Sequence, residues 1–120
     1  MNRYEAQYTF WSSFGVPAYE ENSVPDIKDI KYPYITYPAI GAEVTAQTFI
    51  NVSIYTRSSS LKKVTEIAEK VMKRFVEGGA EIRFTGGGFF LTAENTFIQI
   101  MGDPNDDLIK RAVLSLVIHW

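Results

Sequence analysis

The chain contains no cysteine, which excludes disulfides, thiolate metal sites and cysteine nucleophiles. Histidine occurs once, as His119, so no histidine pair for a metal can be assembled, and its place one residue from the end of a predicted strand reads as that of a terminal strand residue and not of a catalytic base. Neither sign of charge dominates. With 12 Lys and Arg against 14 Asp and Glu, the net charge is -2, and the electrostatic footprint of a general nucleic-acid binder is missing. No apolar run approaches the ~18 residues of a membrane span. The opening residues, MNRYEAQYTFWSS, lack both the basic-then-apolar pattern and the small-residue cleavage site of a secretory signal. Together these absences predict a soluble product of a reducing cytoplasm, with no membrane partner and no cofactor.

What is present is an ordinary globular composition. Apolar residues make up 46% and charged residues 22%, which separates the chain from disordered sequences. Its 120 residues suit one domain, 1-120, which at this size buries roughly two thirds of its extended-chain surface.

Asn2 followed by Glu5 has the form of a capping box, each side chain answering the other's free backbone N–H, and predicts a short N-terminal helix. Tyr4, Tyr8 and Trp11 fall on one face of it, Phe10 and Phe14 flank that face, and Gly15 and Pro17 close it. Pro17 to Val24 and Tyr32 to Ile40 read as extended, and Pro33 and Pro38, which cannot donate to a ladder, place the second segment at a sheet edge. From Gln47 to Thr56, Ile50, Val52 and Ile54 alternate with Asn51 and Ser53, the pattern of a half-buried strand.

Ser58, Ser59 and Ser60 offer N-caps to an amphipathic helix over about residues 60-77, where Leu61, Val64, Ile67, Ala68, Val71, Met72 and Phe75 form one stripe. Lys62, Lys63, Lys70, Lys73 and Arg74 occupy the other face, with Glu66 and Glu69 placed to pair with Lys70 and Lys73, and Gly78-Gly79 ends the helix. Ala80 to Phe84, Phe89 to Thr92 and Thr96 to Met101 then read as consecutive hairpins around Thr85-Gly86-Gly87-Gly88. The final segment fits a helical stripe less well than a strand, because only the strand gathers Ala112, Leu114, Leu116, Ile118 and Trp120 on one face. The fold class that results is α+β: a mostly antiparallel sheet packed by the amphipathic helix and a short N-terminal one.

Three motifs invite chemistry. Asp103-Pro104-Asn105-Asp106-Asp107 carries the oxygen ligands with which a calcium loop opens. The pattern then fails at Leu108 and Leu114, where such loops need glycine and a bidentate glutamate, and a turn explains the segment. Gly86-Gly87-Gly88 has no following Lys-Ser or Lys-Thr to make a phosphate cradle; it reads as a flexible hairpin tip or a loop that orders on a partner. Glu20-Glu21 and Asp26-Asp29 sit in polar loop sequence, where solvation leaves carboxylates unsuited to acid/base work. No constellation points to an enzyme.

The residues in order say more than any motif. Tyr4, Phe10-Trp11, Phe14-Gly15, Pro17-Ala18-Tyr19 and Val24-Pro25 come first, then Tyr32-Pro33-Tyr34-Ile35-Thr36-Tyr37 and Arg57-Ser58. After the amphipathic helix and Gly78-Gly79 follow Phe97, Gln99, Met101, Asp103 to Asp107 and Ile109-Lys110-Arg111. This series resembles the tail terminator (tail completion) proteins of long-tailed bacteriophages and prophages of Gram-positive hosts. Nearly the whole chain takes part, and Phe97 to Arg111 is the most specific stretch. Tyr55-Thr56 stands where an aromatic pair is expected, and Ile100 where a polar or basic residue is.

The resemblance implies a structural protein of the virion, made in the host cytoplasm. Such proteins form a homo-oligomeric ring, six subunits being expected, on the end of the tail tube. The ring stops polymerisation of the tube protein and offers a surface to the head connector or neck protein, with DNA at most passing through the lumen. A neck or head-closure protein of the same particle is the nearest alternative, and a small nucleic-acid-binding module the alternative from another class. A closed ring needs two different patches on each subunit, burying roughly 800 Å² per partner. Candidate interface residues are Tyr32, Tyr34 and Tyr37 on the expected edge strand, Gly86, Gly87, Gly88 and Phe89 at the hairpin tip, and Asp103, Asp106 and Asp107 facing Arg57, Lys110 or Arg111 of the same or the next subunit.

Overall fold

A computed structural model describes residues 1–26, 28–41, 49–104 and 106–119, with 95–97 described for their backbone alone. The elements are α1 (Arg3–Ser12), β1 (Ala18–Glu20), β2 (Tyr34–Tyr37), β3 (Phe49–Arg57), α2 (Lys62–Val76), β4 (Ala80–Phe84), β5 (Gly87–Asp103) and β6 (Asp106–His119). They build a mostly antiparallel six-stranded sheet in the order β1-β2-β3-β6-β5-β4, with β1 and β2 the one parallel pair. The sheet curls far enough for α1 to touch both of its edge strands, and α2 lies against β3, β5 and β6 on the same inner face. This is the expected α+β class, and among the described residues no helix is long and apolar enough to cross a membrane.

The core follows from period. Inner-face residues Ile50, Val52 and Ile54 of β3 and Ala112, Leu114, Leu116 and Ile118 of β6 are buried. They meet the Val64, Ile67, Ala68, Val71 and Phe75 stripe of α2. Large apolar side chains buried in this way contribute about 1.5–3 kcal/mol each. Leu61, expected in that stripe, is exposed because the helix begins one residue later. The serines act before the helix: the Ser60 hydroxyl accepts the Lys62 N–H at 3.0 Å, and Leu61 occupies the cap position without a side-chain bond. At the other end Gly78 and Gly79 take φ of 116° and 92°, and both amides return to the Phe75 carbonyl.

α1 has the predicted capping box, closed on both sides by Asn2 and Glu5. Its inward stripe differs from the aromatic face expected. Tyr4 and Tyr8 are exposed, while Gln7 and Trp11 are buried, with Phe10 half-buried and Phe14 buried beyond the helix. Gln7 tolerates burial because its amide is saturated: Oε1 accepts from the Ile40 N–H at 2.8 Å, and Nε2 donates to the Ile40 and Arg3 carbonyls at 3.0 and 3.2 Å. Trp11 stacks on Tyr37 and Phe75 at 6.3 and 6.2 Å, joining α1 to β2 and α2.

Three further expectations are corrected. The segment with Pro33 and Pro38 is not an edge strand: both prolines fall just outside Tyr34–Tyr37, so neither needs to donate, and β1 pairs on its far side as the true edge. Thr85-Gly86-Gly87-Gly88 is not a four-residue tip. The turn is Thr85-Gly86 alone, with Gly86 at φ 93°, and Gly87 and Gly88 pair with Phe84 and Arg83. Phe89 to Met101 is not a pair of hairpin strands, because β5 runs through to Asp103 with an irregularity between Ala93 and Ile98. The strand chosen for the last segment is β6; Trp120, and Gln47 and Thr48 ahead of β3, lie outside the described residues.

Candidate functional site

The outer face, turned away from both helices, gathers a row of aromatic and basic side chains. Strand register sets Tyr34 against Tyr55, and Tyr55 against Arg111, which itself lies against Met101. Odd-numbered residues of β3 and β6 point outward, so the row is continuous across three strands. The Tyr34 and Tyr55 rings stack at 4.9 Å with 18° between their planes, and the Arg111 guanidinium lies 5.4 Å from the Tyr55 centroid. Arg111 is held there by two bonds to the Ser53 hydroxyl, from Nε at 3.1 Å and from Nη2 at 2.9 Å. Tyr19 meets Tyr34 edge-on at 6.0 Å, and Tyr32 tilts against it at 5.3 Å.

The chain after β1 folds back over this row. Pro25, Ile30, Tyr32, Tyr34, Tyr55, Asp103 and Ile109 line a pocket of about 220 Å³. Tyr34 and Ile109 are buried without belonging to the main core, so they make a second, smaller apolar cluster on the opposite side of the sheet. Burial, reinforced by the neighbouring Tyr32 and Tyr55, pushes the Tyr34 phenol up to about 12. It stays protonated, and a donor, throughout the physiological range.

Beside the pocket the acidic turn closes the β5–β6 hairpin, with Asp103 opposite Asp106. One Asp106 oxygen accepts the Leu108 N–H at 2.9 Å, and the other lies 3.5 Å from Arg57 Nη2. The Lys110 ammonium donates to the Asp107 carbonyl. Arg57 is half exposed, so this ion pair is worth at most about 1 kcal/mol and serves to orient the tip. Among the described residues no group of three His, Cys, Asp or Glu is placed to hold a metal.

The sequence-derived interface residues therefore divide. Tyr32, Tyr34, Arg57, Asp103, Asp106 and Arg111 lie in this outer region, Asp107 sits at the hairpin tip beside it, and Lys110, on the opposite parity of β6, reaches back to the Asp107 carbonyl. Tyr37 and Phe89 lie outside it: both point inward and are buried in the main core, so neither is available to a partner. Gly86, Gly87 and Gly88 are at the far end of the sheet, where Gly87 and Gly88 line a different concavity of about 400 Å³ with Glu81, Arg83, Phe89, Phe90 and His119. Tyr19, Ser53, Tyr55 and Ile109 belong to the site although no motif in the sequence marks them as interface residues. The outward parity of Ser53 and Tyr55 in β3 is legible in the sequence, but their partners across the sheet are not.

No family model, curated protein or solved structure matches this chain. What the site does chemically rests on its groups. Phenols, guanidiniums and a carboxylate on a stiff sheet suit packing and hydrogen bonding to another macromolecule, and tyrosine and arginine are the side chains in which contact energy concentrates.

Proposed function

We propose that this chain is a structural, non-catalytic subunit of a phage tail, a tail terminator that caps the finished tube and presents a surface to the head connector. One observation supports this reading most. Tyr32, Tyr34, Arg57, Asp103, Asp106 and Arg111, which come from separated segments of the family-like pattern, converge on one outer region of the sheet. In this reading the chain acts in the virion as a homo-oligomeric ring of six, touching tube protein and connector protein, with DNA at most passing through the lumen. The tyrosine row and hairpin tip supply one of the two patches that such a ring needs.

The test is tail assembly with and without the protein, imaged by negative stain. Tails of unregulated length only in its absence support the reading; unchanged tails refute it. A neck protein of the same particle differs in its neighbours, and capture of connector protein but not tube protein would favour it. Nucleic-acid binding is favoured by one observation, that Lys62, Lys63, Lys70, Lys73 and Arg74 of α2 are all exposed. A salt-dependent gel shift decides it, and none is expected for a chain of net charge -2.

A further inference from the structure

β5 is flanked unequally. β6 pairs with it on one side down to Asp103, but β4 covers the other side from Gly87 to Leu91 alone. Over residues 98–102 the ladder to β6 is intact again, and among the described residues no strand lies along the opposite edge. In an antiparallel ladder alternate residues direct both N–H and C=O to one neighbour, so about half of the backbone polar groups here face outward with no strand to receive them. Gln99, Ile100, Met101 and Gly102 are all exposed, Ile100 by 39% and Met101 by 40%. No charge and no proline stands between Glu94 and Asp103.

The other edges of the sheet are blunted. β1 is three residues long and is led in by Pro17. β4 carries the exposed, ion-paired Glu81 and Arg83, and the Met1 carbonyl takes the Thr85 N–H at its end. An apolar, uncharged edge is the kind that proteins otherwise protect, because it templates another strand.

We infer that the edge of β5 over residues 98–102 pairs antiparallel with the same edge of a second copy, continuing the sheet across a two-fold axis. The occupant follows from charge. Because residues 95–102 carry none, self-pairing brings no like charges together, and with the axis at Ile100 each Asp103 falls opposite an uncharged residue of the partner. Side-chain faces also match. Ile100 meets Ile100 on one face while Gln99 meets Met101 on the other. The inference does not rest on the tail reading, since a two-fold contact is separate from the head-to-tail contacts that close a ring.

Residue-resolved hydrogen exchange of the wild-type chain from micromolar to millimolar concentration tests it. Outward amides in residues 98–102 are expected to gain at least tenfold protection as dimers form, while the outward amides of Glu81 and Arg83 do not. In the cysteine-free background, Ile100→Cys should give a symmetric disulfide dimer on mild oxidation, and Glu81→Cys should not. Ile100→Lys, at an exposed site, should weaken dimerisation at least tenfold in sedimentation with unchanged circular dichroism. A chain that stays monomeric at millimolar concentration overturns the inference. So does a larger assembly indifferent to Ile100→Lys, or protection that appears only when a different protein is added.

Discussion

Tyr34 offers a test of the outer face that no other position provides, because its phenol titrates late and its ring is packed. Replacing it with phenylalanine keeps the ring against Tyr55 and removes the hydroxyl. In the native chain burial raises the phenol from 10.0 to about 12, so the folded state prefers the protonated form more strongly than the unfolded state does. The stability this represents is fully present below pH 10 and is lost as the pH rises from there through about 12. Each pH unit inside that window removes about 1.4 kcal/mol. Urea unfolding followed by the fluorescence of buried Trp11 should show a wild-type minus Tyr34→Phe difference that is constant from about pH 7 to 9. By about pH 11 it should have moved by about 1.4 kcal/mol in favour of the variant. Absorbance titration of tyrosinate gives the second reading: the variant should lack the most alkaline transition. A difference independent of pH up to about 11 would show that Tyr34 is not held in the pocket. Tyr37 is also raised, chiefly by burial, but it is present in both chains and cancels.

Other substitutions probe other parts of the fold. Gly79→Ala should cost about 2–4 kcal/mol in thermal or urea unfolding, since φ is 92° and a Cβ would come within 2.5 Å of the Leu91 carbonyl oxygen and 2.8 Å of the Phe90 ring. Gly78→Ala, at φ 116° with open space around it, should cost less than Gly79→Ala in the same measurement. Leu114→Ala on central strand β6 should cost about 3 kcal/mol, whereas Tyr4→Ser on the exposed side of α1 should stay within about 0.5 kcal/mol. Asp106→Ala should change stability by no more than about 1 kcal/mol, and calorimetry of the wild-type chain with calcium should register no binding heat. Tight calcium binding there would revive the metal reading of the hairpin tip.

Elements with a strong local signal are legible in the chain itself. The capping box of Asn2 and Glu5, the α2 stripe from Val64 to Phe75, the alternation in β3 and the one-sided pattern of β6 each reflect a cap or a period of 3.6 or 2 that a short window of residues carries. Context is what such windows lack. Tyr4, Tyr8 and Trp11 read as one packing face, for the sheet or a neighbouring subunit, because the hydrogen bonds that make Gln7 the inward residue beside Trp11 come from Ile40, 33 positions away. The prolines around Tyr34–Tyr37 suggest an edge because a three-residue parallel strand is too short to announce itself.

The sequence by itself thus determined the fold class and the core stripes. It also determined the absence of cysteine and of histidine pairs, and so the chemistry that is closed to this chain. Only the tertiary structure decided which candidates meet. The Tyr34–Tyr55–Arg111 row joins residues up to 77 positions apart, and cross-strand register, which sets such a row, is a property of strand pairing that no local window contains. The same holds for the edge of β5: residues 98–102 are recognisable as extended from their sequence, but that no strand of the described residues lies along their outer side depends on where pairing with β4 stops, at Leu91.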